Sequence, residues 1–155
     1  MKTEADISFA RLSIEHLDQL MQIEEISFSR PWSRESYAHE LSENQFAYYY
    51  GCFHQGELVA FAGFWFVIDE GHVANIAVLP EWRGKHIGEL LMRQLIAVCS
   101  GLGGKRMTLE VRESNTAAVS LYEKLGFKQQ GLRKDYYDLP TENAVIMWLH
   151  MDRPE

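Results

Sequence analysis

Residues 83–88 have the residue types of a phosphate-binding loop. The segment follows the apolar run Asn75–Leu79 and opens a long amphipathic stretch, so the pattern predicts a strand, a loop and the start of a helix. The first turn of a helix leaves four backbone N–H groups without partners and carries partial positive charge. Glycine lets the backbone approach a ligand closely. The segment is therefore predicted to bind phosphate, in particular the pyrophosphate of a nucleotide-like cofactor.

The spacing of the glycines excludes two common nucleotide-binding motifs. A dinucleotide fingerprint needs three glycines as G-x-G-x-x-G, and this segment has only Gly84 and Gly88. A P-loop needs G-x-x-x-x-G-K followed by Ser or Thr. The segment Gly103–Lys105 comes near that pattern, but Cys99 stands in place of the first glycine and Arg106 in place of the hydroxyl residue.

The segment resembles the acetyl-CoA loop of the GCN5-related N-acetyltransferases (GNAT), written R/Q-x-x-G-x-G/A. Arg83 and Gly88 match the outer positions, whereas His86 stands where that family usually has glycine. We expect an exposed histidine that the loop tolerates; its N–H is available if φ is negative, whereas a positive φ would strain the loop and weaken cofactor binding. The alternative is that the imidazole reaches a phosphate and helps when protonated. The resemblance implies that the loop contacts acetyl-CoA through Arg83, Gly84, Lys85, His86, Ile87 and Gly88.

Acetyl transfer from a thioester to an amine requires a neutral amine, a donor for the carbonyl oxygen and a proton for the departing thiolate. Glu110 is the candidate base, because it lies on the polar face of the predicted strand Arg106–Arg112. An exposed glutamate paired with Arg106 or Arg112 is the alternative interpretation of the same pattern.

A second resemblance supports the catalytic interpretation. The segments Leu109–Arg112 and Leu121–Phe127, with Asn115 between them, are similar to the core of the ribosomal-protein-alanine N-acetyltransferases of the RimI type. The resemblance implies that Glu110 deprotonates the amine, that Tyr122 protonates the thiolate and that Asn115 contacts acetyl-CoA. From the sequence alone, Tyr122 also fits a helix core and Asn115 also fits a helix N-cap.

The resemblance assigns further residues to binding. In the family, the strand that matches Ile76, Ala77 and Val78 diverges from its neighbour, and its backbone N–H groups hold the thioester and the pantetheine arm. The segments Phe28–Ser33 and Arg133–Tyr137 resemble the loops that flank the acceptor groove. Trp32, Tyr136 and Tyr137 are therefore the expected substrate-binding residues.

The elements that would position these residues follow in the order β-α-α-β-β-β-α-β-α-β-β. Ser33 is a predicted N-cap, with Trp32 and Tyr37 spaced as a hydrophobic staple. The helix after the glycine loop is expected to bury one face, formed by Ile87, Leu90, Leu91, Leu95, Val98 and Leu102. The order predicts an α/β fold. It is also that of a single GNAT domain spanning residues 1–155, with a mixed, mainly antiparallel sheet of six to seven strands and about four helices.

Composition limits the classes of protein. The net charge is −7, and residues 1–80 contain 4 Lys/Arg against 12 Asp/Glu, which is compatible with a basic partner. No basic stripe indicates nucleic-acid binding, and no apolar run is long enough to span a bilayer. Glu4 and Asp6 stand where a signal peptide would be basic or apolar, so we expect a cytoplasmic protein. The spacing of the histidines indicates no metal, and Cys52 and Cys99 are expected to be buried thiols.

The residues thus leave several functions open. The first is acetylation of the N-terminal alanine of a small-subunit ribosomal protein. An α-amine with a pKa of about 7.7–8.0 is partly neutral at pH 7, unlike a lysine near 10.4. The second is the same chemistry on lysine side chains, a polyamine or an aminoglycoside. The third is a non-catalytic module that only binds acyl-CoA. Oligomeric state is not indicated.

Overall fold

The computed structural model describes residues 6–151, which form seven strands and four α-helices. None of the helices in this range is long and apolar enough to cross a membrane. Two single 3₁₀ turns, Ile14–His16 and Pro80–Trp82, precede α1 and α3. In chain order the elements are β1 (Ile7–Arg11), α1 (Leu17–Ser27), α2 (Arg34–Ser42), β2 (Ala47–His54), β3 (Glu57–Val67), β4 (Glu70–Val78), α3 (Ile87–Gly101), β5 (Arg106–Arg112), α4 (Thr116–Lys124), β6 (Lys128–Tyr137) and β7 (Glu142–His150).

The seven strands form one sheet in the order β1-β2-β3-β4-β5-β7-β6. Its pairings are antiparallel between β1 and β2, β2 and β3, β5 and β7, and β6 and β7, whereas β4 and β5 run parallel. The predicted fold class and element order are therefore confirmed. The extent of the domain, residues 1–155, stays a prediction.

The chain divides into two compact units. The first comprises the described part of Met1–Trp65 together with Ala74–Leu95. Its core is built where α1, α2 and the first strands bring apolar side chains together, including Leu20, Ile23 and Phe61, none of them more than 1% exposed. The β2–β3 hairpin closes through Gln55 and Gly56, both at positive φ, as a two-residue turn of type I′ requires.

The second unit comprises Phe66–Val73 and the described part of Ile96–Glu155. In β5 the alternation is as predicted: Met107, Leu109 and Val111 are buried, and Glu110 is on the opposite, half-buried face. β5 pairs along its whole length with β7, and β7 pairs in turn with β6. The chain therefore places β6, which follows β5 by way of α4, two strands away from it.

The predicted face of α3 is partly wrong. Ile87, Leu91 and Leu95 are buried as expected, but Leu90 and Leu102 are exposed at 38% and 40%. The buried stripe also includes Met92 and Cys99, the latter four residues beyond Leu95. A helix buries positions spaced by three and four residues, whatever apolar residue type they hold. The buried face therefore includes Met92 and Cys99 and leaves Leu90 exposed.

Candidate active site

The predicted phosphate-binding loop connects the end of β4 to the start of α3, within the first unit. Gly84 has φ +78°, and a Cβ added there would meet nothing within 4 Å. The backbone at this point therefore faces open space. Arg83 bends back, and its Nε donates to the Val78 carbonyl at 2.9 Å. The resulting short loop leads directly into a helix N-terminus, which fits a phosphate group.

His86 is exposed, as predicted, and its φ is +64°, which is the strained of the two backbone conformations considered for this position. Two residues just before α3, Gly84 and His86, have a left-handed backbone conformation. Glycine adopts this conformation freely, whereas an L-residue is strained in it, and histidine is one of the types found there more often than most. The His86 carbonyl accepts from the Leu90 N–H at 3.1 Å, the first helical turn of α3.

Residues 76–78 form the last part of β4. Ala77 is buried at 6% exposure, while Ile76 and Val78 are half-buried. The Leu79 N–H donates to the Val59 carbonyl at 2.9 Å, which ties the strand end to β3. The pairing of β4 with β5 runs from Glu70 to His72 on β4, so it lies before this segment.

Glu110 forms an ion pair with Arg133, with 3.2 Å between Oε2 and Nε. The alternative partners expected from the sequence are wrong. Arg106 pairs with Glu70 and Arg112 pairs with Glu142. The order β5-β7-β6 explains the difference, because a diagonal contact across β7 brings the long Arg133 side chain to Glu110. The Glu110 side chain is 30% exposed.

Tyr122 lies in the buried part of the second unit, at 6% exposure, with its ring centroid 6.0 Å from that of Phe127. Burial raises the pKa of Tyr122 to about 12. The phenol therefore keeps its proton across the neutral and mildly alkaline range. Both expectations for this residue are compatible with this position, since a packed ring and a retained proton do not exclude each other.

Tyr136 and Tyr137 stand edge to face at the end of β6, with centroids 5.0 Å apart. Burial raises the pKa of Tyr137 to about 12, and the neighbouring charges of Tyr136, Glu110 and Tyr122 add to this shift while Arg112 opposes it. The second unit thus brings Glu110, Tyr122, Tyr136 and Tyr137 into one cluster.

Arg112, named from the sequence only as a candidate partner of Glu110, has a different place in this cluster. Its guanidinium carbon lies 4.5 Å from the centre of the Tyr137 ring, and it donates to the carbonyls of Asp138 and Pro140. It also pairs with Glu142. Arg112 therefore connects the β6–β7 turn, through the Asp138 and Pro140 carbonyls, to the Tyr137 ring. Its position two residues after Glu110 puts both residues on the same face of β5, but does not reveal its contact with Tyr137.

Asn115 is the N-cap of α4, as its type suggested. Its Oδ1 accepts from the Ala118 N–H at 3.1 Å. The cap uses the amide oxygen, and the side chain is exposed. Its predicted contact with acetyl-CoA stays a prediction.

Trp32 lies in the first unit, at the end of the loop between α1 and α2. The predicted staple is confirmed: the rings of Trp32 and Tyr37 are 5.2 Å apart, and Ser33 caps α2 by accepting from the Ser36 N–H at 3.1 Å. A concavity of about 480 Å³ lies beside Trp32 and is also lined by Glu35, Ser36, His39 and Glu40.

The group that holds this loop was not predicted from the sequence. The Trp32 N–H donates to Oε2 of Glu24 at 2.8 Å, and Glu24 is only 1% exposed. Burial raises the pKa of Glu24, and the hydrogen bonds from Trp32 and Tyr37 oppose that shift. A signal was present, because Glu24 continues the stripe of Leu17, Leu20 and Met21 at helical spacing.

Within residues 6–151 no group of three or more His, Cys, Asp or Glu side chains is arranged to hold a metal ion. The cysteines, Cys52 and Cys99, are unpaired and buried, which confirms their predicted place.

Known proteins that resemble this chain identify its family. Residues 17–127 match the model of the acetyltransferase (GNAT) family. A Bacillus subtilis (strain 168) protein, provisionally named a ribosomal protein bS18-alanine N-acetyltransferase, is 42% identical over 96% of this chain and 97% of its own. The crystal structure of the ribosomal-protein-S18-alanine N-acetyltransferase from Escherichia coli is 31% identical, with a TM-score of 0.89 over 96% of each chain.

A solved NatC complex bound to Gag peptide and CoA shares the fold, with a TM-score of 0.85, 21% identity and coverage of 95% of this chain and 99% of that one. The family match covers most of the chain, and the resemblance to the RimI type extends over almost all of it. The protein is therefore a member of the GNAT family of acetyltransferases.

Proposed function

We propose that this protein transfers the acetyl group of acetyl-CoA to the N-terminal α-amine of an alanine, and that its acceptor is the small-subunit ribosomal protein bS18. The observation that carries the proposal is similarity over nearly the whole chain to relatives named for this activity. A cytoplasmic location belongs to the same proposal. Direct contact with nucleic acid or membrane is not part of it.

Acetyl-CoA would supply the activated acyl group as a thioester. The loop 83–88 and the N-terminus of α3 would bind its pyrophosphate. The open space around Gly84 supports this assignment, because a ligand can approach the backbone closely there. The N–H groups of Ile76–Val78 would bind the pantetheine arm and the carbonyl oxygen, and the amide of Asn115 would add a contact to the same molecule.

Glu110 would accept the proton of the α-ammonium, through water, so that the neutral amine attacks the thioester carbon. The attack forms a carbon–nitrogen bond, the nitrogen then releases its second proton to water, and collapse of the tetrahedral centre breaks the carbon–sulfur bond. Tyr122 would donate to the departing sulfur. Its pKa of about 12 keeps the proton in place until then. A free thiol has a pKa of about 8.5, below that of this phenol, so the Tyr122 hydroxyl would first stabilise the departing thiolate by a hydrogen bond. A proton passed to the sulfur would be replaced on Tyr122 from solvent.

The test is a thiol-release assay with acetyl-CoA and a short peptide that begins with alanine. The same peptide with a blocked α-amine and a lysine-containing blocked peptide are the acceptor controls. Glu110→Gln and Tyr122→Phe test the two roles, and Tyr48→Phe, which removes a hydroxyl on β2 where the ring stacks on Phe64, is the matched control. We expect turnover on the free alanine peptide alone and losses in kcat of about 10²-fold or more in the first two variants.

Faster turnover of the lysine peptide, a polyamine or an aminoglycoside than of the alanine peptide would support acetyl transfer but contradict the proposed acceptor. Tight acetyl-CoA binding with no turnover of any of these amines would favour a non-catalytic module. Full activity of Glu110→Gln would remove Glu110 as the base.

A further inference from the structure

A buried carboxylate holds the loop that carries Trp32. Glu24, on α1, accepts two hydrogen bonds: one from the Trp32 backbone N–H at 2.8 Å and one from the Tyr37 hydroxyl at 2.8 Å. Glu24 is 1% exposed and Tyr37 is 0% exposed. The loop is thus fixed through its main chain, at the residue expected to contact the acceptor, and not only through packing of the indole ring.

The network continues into β4. Nδ2 of Asn75 donates to the Tyr37 hydroxyl. Asn75 immediately precedes Ile76–Val78, the segment proposed to hold the thioester. One chain of hydrogen bonds therefore joins the acceptor loop to that strand, and all of its members lie in the first unit.

Placing a carboxylate at the buried position of Glu24 costs free energy of folding. Burial disfavours its charged form, and an apolar side chain at helical spacing with Leu20 and Met21 would satisfy the core without that cost. A buried polar network that is fully hydrogen-bonded specifies one local geometry more strictly than apolar packing does. The network therefore indicates a requirement for a defined loop position.

We propose that Glu24 is a positioning residue for the acceptor: it fixes the backbone at Trp32, and Tyr37 and Asn75 tie that anchor to β4. This inference rests on the proposed function, in which the loop contacts the acceptor peptide. Loss of the anchor is expected to weaken binding of the peptide while binding of acetyl-CoA is retained.

The first unit provides a matched comparison. Tyr49 is also buried, at 2% exposure, and its hydroxyl donates to another buried glutamate, Glu40, at 3.0 Å. Its ring touches that of Tyr37, with centroids 5.9 Å apart. Tyr49→Phe therefore removes the same chemical group from the same core without touching the loop anchor.

The decisive variant is the double substitution Glu24→Leu with Tyr37→Phe. Replacing Glu24 and Tyr37 by apolar groups of similar shape preserves the packing between them, so the fold should persist while the Trp32 N–H and the Asn75 amide lose their acceptors. Glu24→Gln is the conservative variant, because its amide oxygen can still accept from Trp32. The measurements are KM and kcat for the alanine peptide, the Kd of acetyl-CoA by calorimetry, and hydrogen exchange of segment 28–33.

The double variant is expected to raise the peptide KM by on the order of 10–100-fold, with acetyl-CoA affinity within about threefold. Segment 28–33 should exchange faster. Glu24→Gln and Tyr49→Phe should retain a peptide KM near that of the parent protein. Unchanged exchange of the segment, an unchanged peptide KM in the double variant, or an equal rise in Tyr49→Phe would overturn the inference. If the parent protein does not acetylate the peptide, the proposed function fails, and the exchange measurement alone decides whether Glu24 anchors the loop.

Discussion

The backbone at His86 holds a side chain in a conformation that glycine adopts without strain. A left-handed conformation costs an L-residue about 1–2 kcal/mol. Histidine at this position therefore reduces the stability of the loop, and the loop keeps its shape because α3 and β4 fix its ends.

We expect His86→Gly to retain or improve acetyl-CoA affinity, because the φ of +64° no longer strains the chain. His86→Val should lower the free energy of unfolding by about 1–2 kcal/mol relative to His86→Gly, since a β-branched residue is least tolerated there. Calorimetric titration and urea unfolding measure the two effects. Lys85→Gly is the control and should bring no gain. A severe loss of affinity in His86→Gly would assign the imidazole a direct role at the phosphate.

Two features of the site at the level of side chains could not have been predicted from the sequence. The partner of Glu110 depends on strand order, and periodicity along β5 gives the face of a residue but not the neighbouring strand. The anchoring role of Glu24 depends on which backbone N–H reaches the core. By contrast, the loop 83–88, the exposure of His86 and the buried position of Tyr122 followed from residue types and spacing.

The N-terminus of α4 depends on one side chain with two predicted tasks. Asn115 caps the helix through its oxygen, and its amide is assigned to the cofactor. Asn115→Asp keeps a good cap but removes the amide donor and adds negative charge, so we expect unchanged stability with weaker acetyl-CoA binding. Asn115→Ala should additionally lose about 1 kcal/mol of stability. Thermal unfolding and calorimetric titration separate the two tasks. Equal acetyl-CoA affinity in Asn115→Asp and the parent protein would mean that Asn115 only caps α4.

The parallel pair of β4 and β5 begins with a charged contact. Arg106 donates to Glu70 at 2.6 Å, opposite it in register, and this hydrogen bond is the main cause of the lowered pKa of Glu70. A carboxyl whose pKa is lowered by folding stabilises the folded state above its unfolded value of 4.5, and that contribution is lost as the pH falls through the folded pKa.

The free energy of unfolding should therefore fall more steeply below pH 4.5 in the parent protein than in Glu70→Gln. The difference should be about 1 kcal/mol or less, because the pair is partly exposed. Urea unfolding between pH 3 and pH 7 measures it. Glu57→Gln, at an exposed glutamate on β3, is the control and should follow the parent curve.

The elements themselves were largely predictable, for reasons that differ among them. The alternation in β5, the Gln55-Gly56 turn and the Ser33 cap are local patterns, so the sequence specifies them within a few residues. The face of α3 was displaced toward Leu90 and Leu102, because burial depends on where the helix meets its neighbours. The swap of β6 and β7 in the sheet is a tertiary property that no local pattern contains.

The charge of the molecule favours a basic acceptor. The net charge is −7, and residues 1–80 alone contribute 12 acidic against 4 basic side chains. For an alanine peptide extended by three lysines, kcat/KM should fall several-fold as salt rises from about 0.05 to 0.5 M, because screening removes long-range attraction. An uncharged alanine peptide of equal length should show little dependence. Equal salt sensitivity of the two peptides would contradict an electrostatic contribution.

Cys52 and Cys99 are fully buried, and burial raises the pKa of both thiols to about 11. Because the thiolate is the reactive form, neither side chain should react appreciably with a colorimetric thiol reagent while the protein is folded. A continuous assay of CoA release can therefore run at high enzyme concentration with a low blank, and a rising blank in a variant would report that its core has opened.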